Sequence, residues 1–175
     1  MIEIRALHER DNRASFRSGD ADLDRFFQQF AGQNQFRHHL GVTYVAVDGQ
    51  DVLGFVTVAA AHVEIDGLPA AMRRKLPRYP LPVLRLARLA VDRSAQGQGT
   101  RPSAPQVRAP ARAADGGRLR MRGSHVDAKP DAVAFDAKHG FLAVEAVEGG
   151  SEARPAPTPM VLSIRTIRHA MGARL

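Results

Sequence analysis

Two glycines that follow a predicted buried strand are the first residues in this sequence that could do chemistry. The run 86–99 reads LARLAVDRSAQGQG, so an apolar strand leads into a turn that contains Gly97 and Gly99. A turn of this kind presents backbone N–H groups to an anion, and glycines let a phosphate approach the backbone closely. A lone Gly-x-Gly turn is usually only a loop, but the strand before it and the polar side chains of Arg93 and Gln96 make this one more specific. The run predicts a turn that binds a pyrophosphate.

A second informative run, DAKPDAVAFDAKHGF, occupies residues 127–141. Pro130 is well suited to the first turn of a helix, and Gly140 is a typical C-terminal stop. The run therefore predicts a helix that ends near Lys138, with the pair Phe135 and Asp136 inside it.

These runs resemble conserved motifs of the GNAT family of acyl-CoA N-acetyltransferases. Gln96 and Gly99 match the family's acetyl-CoA motif, Gln/Arg-x-x-Gly-x-Gly/Ala, and the second run is similar to a later helix that usually carries Phe-Tyr and ends in Gly-Phe. The segments SGDADLDRFF, TYVAVD, VLGFVTVAA and LPVLRLARLAVD resemble one subgroup, the acetyltransferase toxins of bacterial type II toxin–antitoxin systems. The resemblance covers roughly residues 14–99 and 126–167.

The resemblance implies transfer of acetyl from acetyl-CoA to a primary amine, which in the toxin subgroup is the α-amino group of an aminoacyl-tRNA. It also implies an antitoxin protein as a partner and allows a homodimer. Backbone N–H groups near Leu89 and Val91 would polarise the thioester carbonyl. The residues it implies for acetyl-CoA binding are Leu89, Val91, Arg93, Gln96, Gly97, Gln98, Gly99 and Thr100.

The family's catalytic acid is usually a tyrosine, and this sequence has Asp136 at that position. The acid has to protonate the thiolate that leaves when the amine attacks. A carboxylate is normally ionised at neutral pH and cannot donate that proton. Asp136 is therefore either a poor replacement or, if burial raises its pKa, a substitute acid.

The segment 100–125 departs further from the family pattern. A small residue followed by an apolar helix is expected after Gly99, but the sequence has Arg101 and three prolines, Pro102, Pro105 and Pro110. Each interior proline costs a helix about 3 kcal/mol. Between Thr100 and His125 the sequence has six arginines and one aspartate, so this segment supplies +5 of the net charge of +7.

A shift of reading frame would explain this irregular segment. Reading its codons one base later permits a glycine at position 101 and an apolar helix, and it forces no proline. We therefore hypothesise a pair of compensating frameshifts, near Gly99–Thr100 and near His125. A natural Arg/Pro-rich insertion or linker is the alternative.

Strands and helices alternate along the chain, which predicts the α/β (α+β) class and a single domain over residues 1–175. The resemblance makes this the GNAT fold, a mixed and mostly antiparallel sheet flanked by helices, with segment 100–125 aberrant. The predicted elements are strands at 2–7, 41–47, 52–65, 83–91, 141–147 and 160–167, and helices at 20–31, 68–76 and 130–138.

Composition limits the remaining classes of function. The chain has no cysteine, which excludes disulfides and thiolate metal sites and fits a reducing cytoplasm. Neither a signal peptide nor an apolar run of about 20 residues is visible, so we expect no membrane association. His38-His39 lacks partners at metal spacing and indicates an exposed turn rather than a metal site. Arg73-Arg74-Lys75 could contact a tRNA backbone or form a solvated helix face.

Three functions are compatible with the sequence. The first is a cytoplasmic acetyl-CoA-dependent N-acetyltransferase of the toxin type that acts on charged tRNA. The second is a catalytically inactive GNAT-like protein that still binds a partner. The third is a decayed gene product without function. Binding of acetyl-CoA separates the first from the other two.

Overall fold

The computed structural model describes residues 1–74, 76, 78–97, 122–144, 157–163 and 165–166. The chain divides into two compact units. The first comprises Met1–Ala59 and Leu86–Ala113, and the second comprises Ala60–Arg85 and Ala114–Leu175. The predictions for residues 98–121, including the helix-breaking prolines, lie outside the described residues.

Seven strands form the sheet in the described part of the chain, and neighbouring strands are hydrogen-bonded in the order β1-β2-β3-β4 in the first unit and β4-β5-β7-β6 in the second. Pairs β1–β2, β2–β3, β5–β7 and β6–β7 are antiparallel, which confirms the predicted mostly antiparallel sheet. The strands are β1 (Glu3–Ala6), β2 (Val42–Asp48), β3 (Asp51–Val63), β4 (Leu81–Val91), β5 (Gly123–Ala128), β6 (Leu142–Ala143) and β7 (Thr158–Ser163).

The first helix starts where its cap predicts. The carboxylate of Asp20 accepts hydrogen bonds from the backbone N–H groups of Asp22 and Leu23, and α1 (Ala21–Arg25) begins directly after it. The helix then widens into two π-helical stretches, Phe26–Phe30 and Gln33–Arg37, so it extends beyond the predicted end at Ala31. Hydrophobic spacing locates a helix but does not reveal where its turns widen.

An aromatic cluster fills the core of the first unit. Phe27 is fully buried and stacks on Phe55 with ring centroids 4.4 Å apart, while Phe16 packs edge-on against both rings. Phe26 is also buried, whereas Phe30 remains 37% exposed. Phe26 and Phe27 thus belong to the core of this unit, whereas Phe30 lies at its surface.

One buried cluster of the second unit is aliphatic and lies against β3, β4 and β7. It consists of Val63, Leu68, Leu81, Val83 and Val161. The short helix α2 (Ala70–Arg73) lies inside the predicted helix 68–76. β5 starts at Gly123, so the last three residues of the segment expected to be aberrant belong to a regular strand that pairs with β7.

The helix α3 (Val133–Lys138) is shorter than predicted, because residues 130–132 form a turn before it. Its end is as expected: Gly140 has φ +90°, its N–H donates to the carbonyl of Ala137, and the N–H of Phe141 donates to the carbonyl of Asp136. This pair of bonds is the Schellman stop that glycine favours. The strand predicted at 141–147 is confirmed over β6. The strand predicted at 160–167 starts two residues earlier as β7 and ends at Ser163, and the prediction is wrong for residues 165–166, which are helical.

Candidate acetyl-CoA site

The end of β4 has one edge turned away from β3. The N–H of Asp92 donates to the carbonyl of Leu53 at 2.8 Å, so this N–H points at β3. Backbone N–H groups alternate in direction along a strand. The N–H groups of Val91 and Leu89 therefore face the opposite edge, and their assignment to the thioester carbonyl stays a prediction.

Asp92 organises the turn that follows β4. Its carboxylate accepts hydrogen bonds from the N–H of Arg17 at 2.8 Å, from the N–H of Ser94 at 2.9 Å and from the Ser94 hydroxyl at 2.7 Å. Partial burial acts to raise the pKa of Asp92, but these hydrogen bonds outweigh it, and the pKa is lowered. Asp92 is thus a stable anion that caps the single 3-10 turn Arg93–Ala95.

Gln96 follows this turn, and both hydrogens of its side-chain amide group are used inside the protein. Nε2 lies 2.8 Å from the carbonyl oxygen of Val91 and 2.8 Å from that of Ser18. The Val91 carbonyl lies on the same edge of β4 as the Val91 N–H. Sequence reasoning assigned Gln96 to cofactor binding, and the structure adds that its amide holds the turn against β4.

Gly97 is the last described residue of the predicted pyrophosphate turn. Its φ of +78° lies in the left-handed region that favours glycine, and a Cβ there would meet no atom of the described residues within 4 Å. None of the described residues therefore blocks the approach of an anion to the backbone at Gly97. The predictions for Gln98, Gly99 and Thr100 lie outside the described residues.

Arg93 is exposed, but its guanidinium lies against the backbone of Gly19. A Cβ at Gly19 would be 2.9 Å from Nε of Arg93, and Gly19 has φ +97°. Arg88, on β4, lies with its Cζ 4.0 Å from the ring centroid of Phe26. This cation–π contact favours a packing role for Arg88.

Asp136 belongs to the second unit and is half-buried on α3. Burial raises the pKa of Asp136, and the neighbouring His139 opposes this effect. His139 itself lies at the end of the helix, with Nδ1 2.8 Å from the carbonyl of Phe135. The direction of the pKa shift is the one that a substitute acid requires.

A polar cavity of about 560 Å³ lies in the second unit around α2. Arg73, Arg74 and Arg78 line it with exposed side chains, together with Tyr79, which is 59% exposed. Glu64 and Asp66 also line it, so the excess of positive charge is modest. Arginine forks and an exposed aromatic ring are groups that bind phosphate and stack on bases. We name this feature the arginine cavity.

A charged cluster on β4 and β5 was missed by sequence reasoning. His125 Nε2 lies 3.4 Å from a carboxylate oxygen of Asp127, whose other oxygen is bonded to the guanidinium of Arg85. Burial lowers the pKa of His125, Arg85 lowers it further, and Asp127 opposes both. The signal was the i, i+2 spacing of His125 and Asp127, which puts both on one face of a strand.

Within the described ranges, no group of three or more His, Asp or Glu side chains comes together to hold a metal ion. No helix in the parts of the chain that the structure covers is both long and apolar enough to span a membrane.

Comparison with solved structures identifies the fold. The AtaT toxin in complex with acetyl-methionyl-tRNAfMet superposes with a TM-score of 0.76 at 22% identity, over 98% of this chain and 99% of AtaT. A tyrosine-to-phenylalanine mutant of AtaT, bound to the C-terminus of the antitoxin AtaR and to acetyl-CoA, gives a TM-score of 0.73 at 21% identity, over 98% and 99% of the two chains. The chain therefore has the GNAT fold of the acetyltransferase toxins, as the sequence predicted.

A sequence relative supports the same resemblance. The chain is 36% identical over 95 residues to a tRNA-acetylating toxin of Mycobacterium tuberculosis (strain ATCC 25618 / H37Rv), an alignment that covers 54% of this chain. It spans 56% of the relative's length, which is about half of that protein. No protein-family model matches the chain. The similarity to acetyltransferase toxins is thus seen in both sequence and fold.

Proposed function

We propose that this protein is an N-acetyltransferase that transfers acetyl from acetyl-CoA to the α-amino group of an aminoacyl-tRNA, as the toxin of a toxin–antitoxin pair. The observation that carries the proposal is the end of β4, where two N–H groups face one edge and an open glycine turn follows. An edge of this kind suits a thioester, and the turn suits the pyrophosphate beside it.

The proposed reaction needs two proton movements. The neutral amine attacks the acetyl carbonyl carbon, the carbon–sulfur bond breaks, and the carbonyl oxygen is stabilised by the N–H groups of Leu89 and Val91. The amine nitrogen loses a proton and the CoA thiolate gains one. Asp136 is the residue that the resemblance places at the proton donor, and its raised pKa keeps more of it protonated than an ordinary carboxyl.

The arginine cavity supports the proposal that the second substrate is a polyanion. Its three arginines lie outside the irregular basic segment, so the positive surface does not depend on that segment alone. AtaT, which has the same fold, was captured with an acetylated methionyl-tRNA and with its antitoxin. We infer from these relatives that a tRNA and an antitoxin are the macromolecular partners. From the resemblance to the toxin family we further propose that the chain acts in the cytoplasm and can form a homodimer.

Calorimetry with acetyl-CoA tests the proposal first, followed by transfer of radiolabelled acetyl to a set of aminoacyl-tRNAs. We expect acetyl-CoA to bind saturably and the radiolabel to appear in the aminoacyl-tRNA. Hydrolysis of the ester bond between amino acid and tRNA should release the label from the tRNA. Uncharged tRNA is the control and should accept none. A well-folded sample that gives no heat at millimolar acetyl-CoA would rule out the enzyme.

A second candidate is an inactive GNAT-like protein or a decayed gene product. It is favoured by Asp136 at the position of the acid and by Arg101 after the described turn. Antitoxin binding without acetyl-CoA binding would support the inactive form. We further propose that the two frameshifts produced segment 100–125, and an uninterrupted frame in the resequenced gene would refute this.

A further inference from the structure

The turn Arg17–Asp20 is bonded to the turn after β4, although the two are far apart in sequence. The N–H of Arg17 donates to Asp92, the N–H of Arg93 donates back to the carbonyl of Arg17 at 2.8 Å, and Gln96 reaches the carbonyl of Ser18. We name this set of contacts the clasp. It ties the start of the candidate acetyl-CoA turn to a segment that the sequence motif does not include.

The Ser18 side of the clasp is also held in place by α1. Both the N–H and the hydroxyl of Ser18 donate to the carboxylate of Asp24 on α1, at 2.7 and 2.6 Å. The side chain of Gln96 therefore connects β4, through the carbonyl of Val91, to a turn that α1 holds in place. Because both amide hydrogens of Gln96 already have carbonyl acceptors, neither is left to donate to a phosphate.

We propose that the clasp positions the acetyl-CoA turn, and that Gln96 is a positioning residue that acts through Val91 and Ser18 without touching the cofactor. The proposal rests on the proposed function, because it concerns the same site. Gly19 is part of it, since a side chain there would meet the guanidinium of Arg93 and would be strained at φ +97°.

Two variants from opposite sides of the clasp test the proposal. Gln96→Glu keeps the size of the side chain but sets a carboxylate against two carbonyl oxygens. Gly19→Ala changes the Arg17–Asp20 turn on the other side of the clasp and leaves the glycine motif after β4 unaltered. Gln35→Glu is the matched control, because the side-chain amide of Gln35 donates one hydrogen bond to the carbonyl of Leu7, outside the clasp.

Amide hydrogen exchange over residues 92–97 is measured in the protein without ligand, and acetyl-CoA affinity is measured by calorimetry. We expect both clasp variants to exchange faster in this stretch and to bind acetyl-CoA about tenfold more weakly. The Gln35→Glu control should match the wild type in both. Circular dichroism checks that each variant is folded.

The two readouts separate direct from indirect roles. Weaker binding by Gln96→Glu with unchanged exchange in the free protein would mean that Gln96 touches the cofactor, which overturns the proposal. Unchanged exchange and unchanged affinity in both variants would overturn it too. If the wild type binds no acetyl-CoA, the proposed function fails, and the exchange data alone then decide whether the clasp holds the turn.

Discussion

Asp136 shows how one residue can change the expected chemistry of a site. A tyrosine keeps its proton at neutral pH, whereas a carboxyl keeps one only where its surroundings disfavour the charge. On α3 burial raises the pKa of Asp136 and the nearby His139 restrains that rise. The folded protein therefore binds this proton more tightly than the unfolded chain does. Stability should fall as the pH rises from the ordinary pKa of a carboxyl through the raised one.

Replacing Asp136 tests both consequences. We expect Asp136→Asn to remove this loss of stability with rising pH, which thermal unfolding at acidic and neutral pH would show. We expect the same variant to lower kcat by on the order of 100-fold, because it cannot donate a proton to the thiolate. Asp136→Tyr should keep activity to higher pH. Asp131→Asn, at an exposed position just before the same helix, is the control. An unchanged kcat in Asp136→Asn would show that another group supplies the proton.

The turn after β4 can be tested at the scale of the element, because the chain offers a second glycine in a similar conformation. Gly97 has φ +78° and Gly49, in the β2–β3 hairpin, has φ +62°, and a Cβ at either would meet no atom of the described part of the chain within 4 Å. Alanine at either position should cost on the order of 1 to 3 kcal/mol in stability through backbone strain. Only Gly97→Ala should weaken acetyl-CoA binding, by about tenfold, in calorimetry. Equal binding by the two variants would place the pyrophosphate elsewhere.

Local patterns predicted the elements with strong signals. The start of the helix at residue 20 and the stop at Gly140 both follow from residues that determine the backbone directly. The contacts of Gln96 were not predictable, because its partner Ser18 is 78 residues away and only the folded chain brings them together. The start of β5 was hidden for a different reason: Gly123 follows a basic stretch without strand periodicity.

At the scale of the whole molecule, the question is where the positive charge acts. Segment 100–125 carries most of the net charge of +7, while the arginine cavity is built from other residues. Attraction of a polyanion by overall charge would depend on the total. Binding of the polyanion at a specific site would instead depend on which arginines are present. These two explanations predict different results for variants of equal charge.

We expect Arg73, Arg74 and Arg78, changed together to glutamine, to weaken tRNA binding and to reduce the slope of log affinity against log salt by roughly 2. Each phosphate that the protein no longer neutralises accounts for about 0.7 to 0.9 of that slope. The control changes three exposed arginines of the first unit to glutamine: Arg10, Arg25 and Arg37. It removes the same amount of charge and should leave the slope nearly unchanged. Filter binding over a range of salt concentrations makes the comparison. If the slope falls equally in both triple variants, tRNA responds to net charge and the arginine cavity is not its binding site.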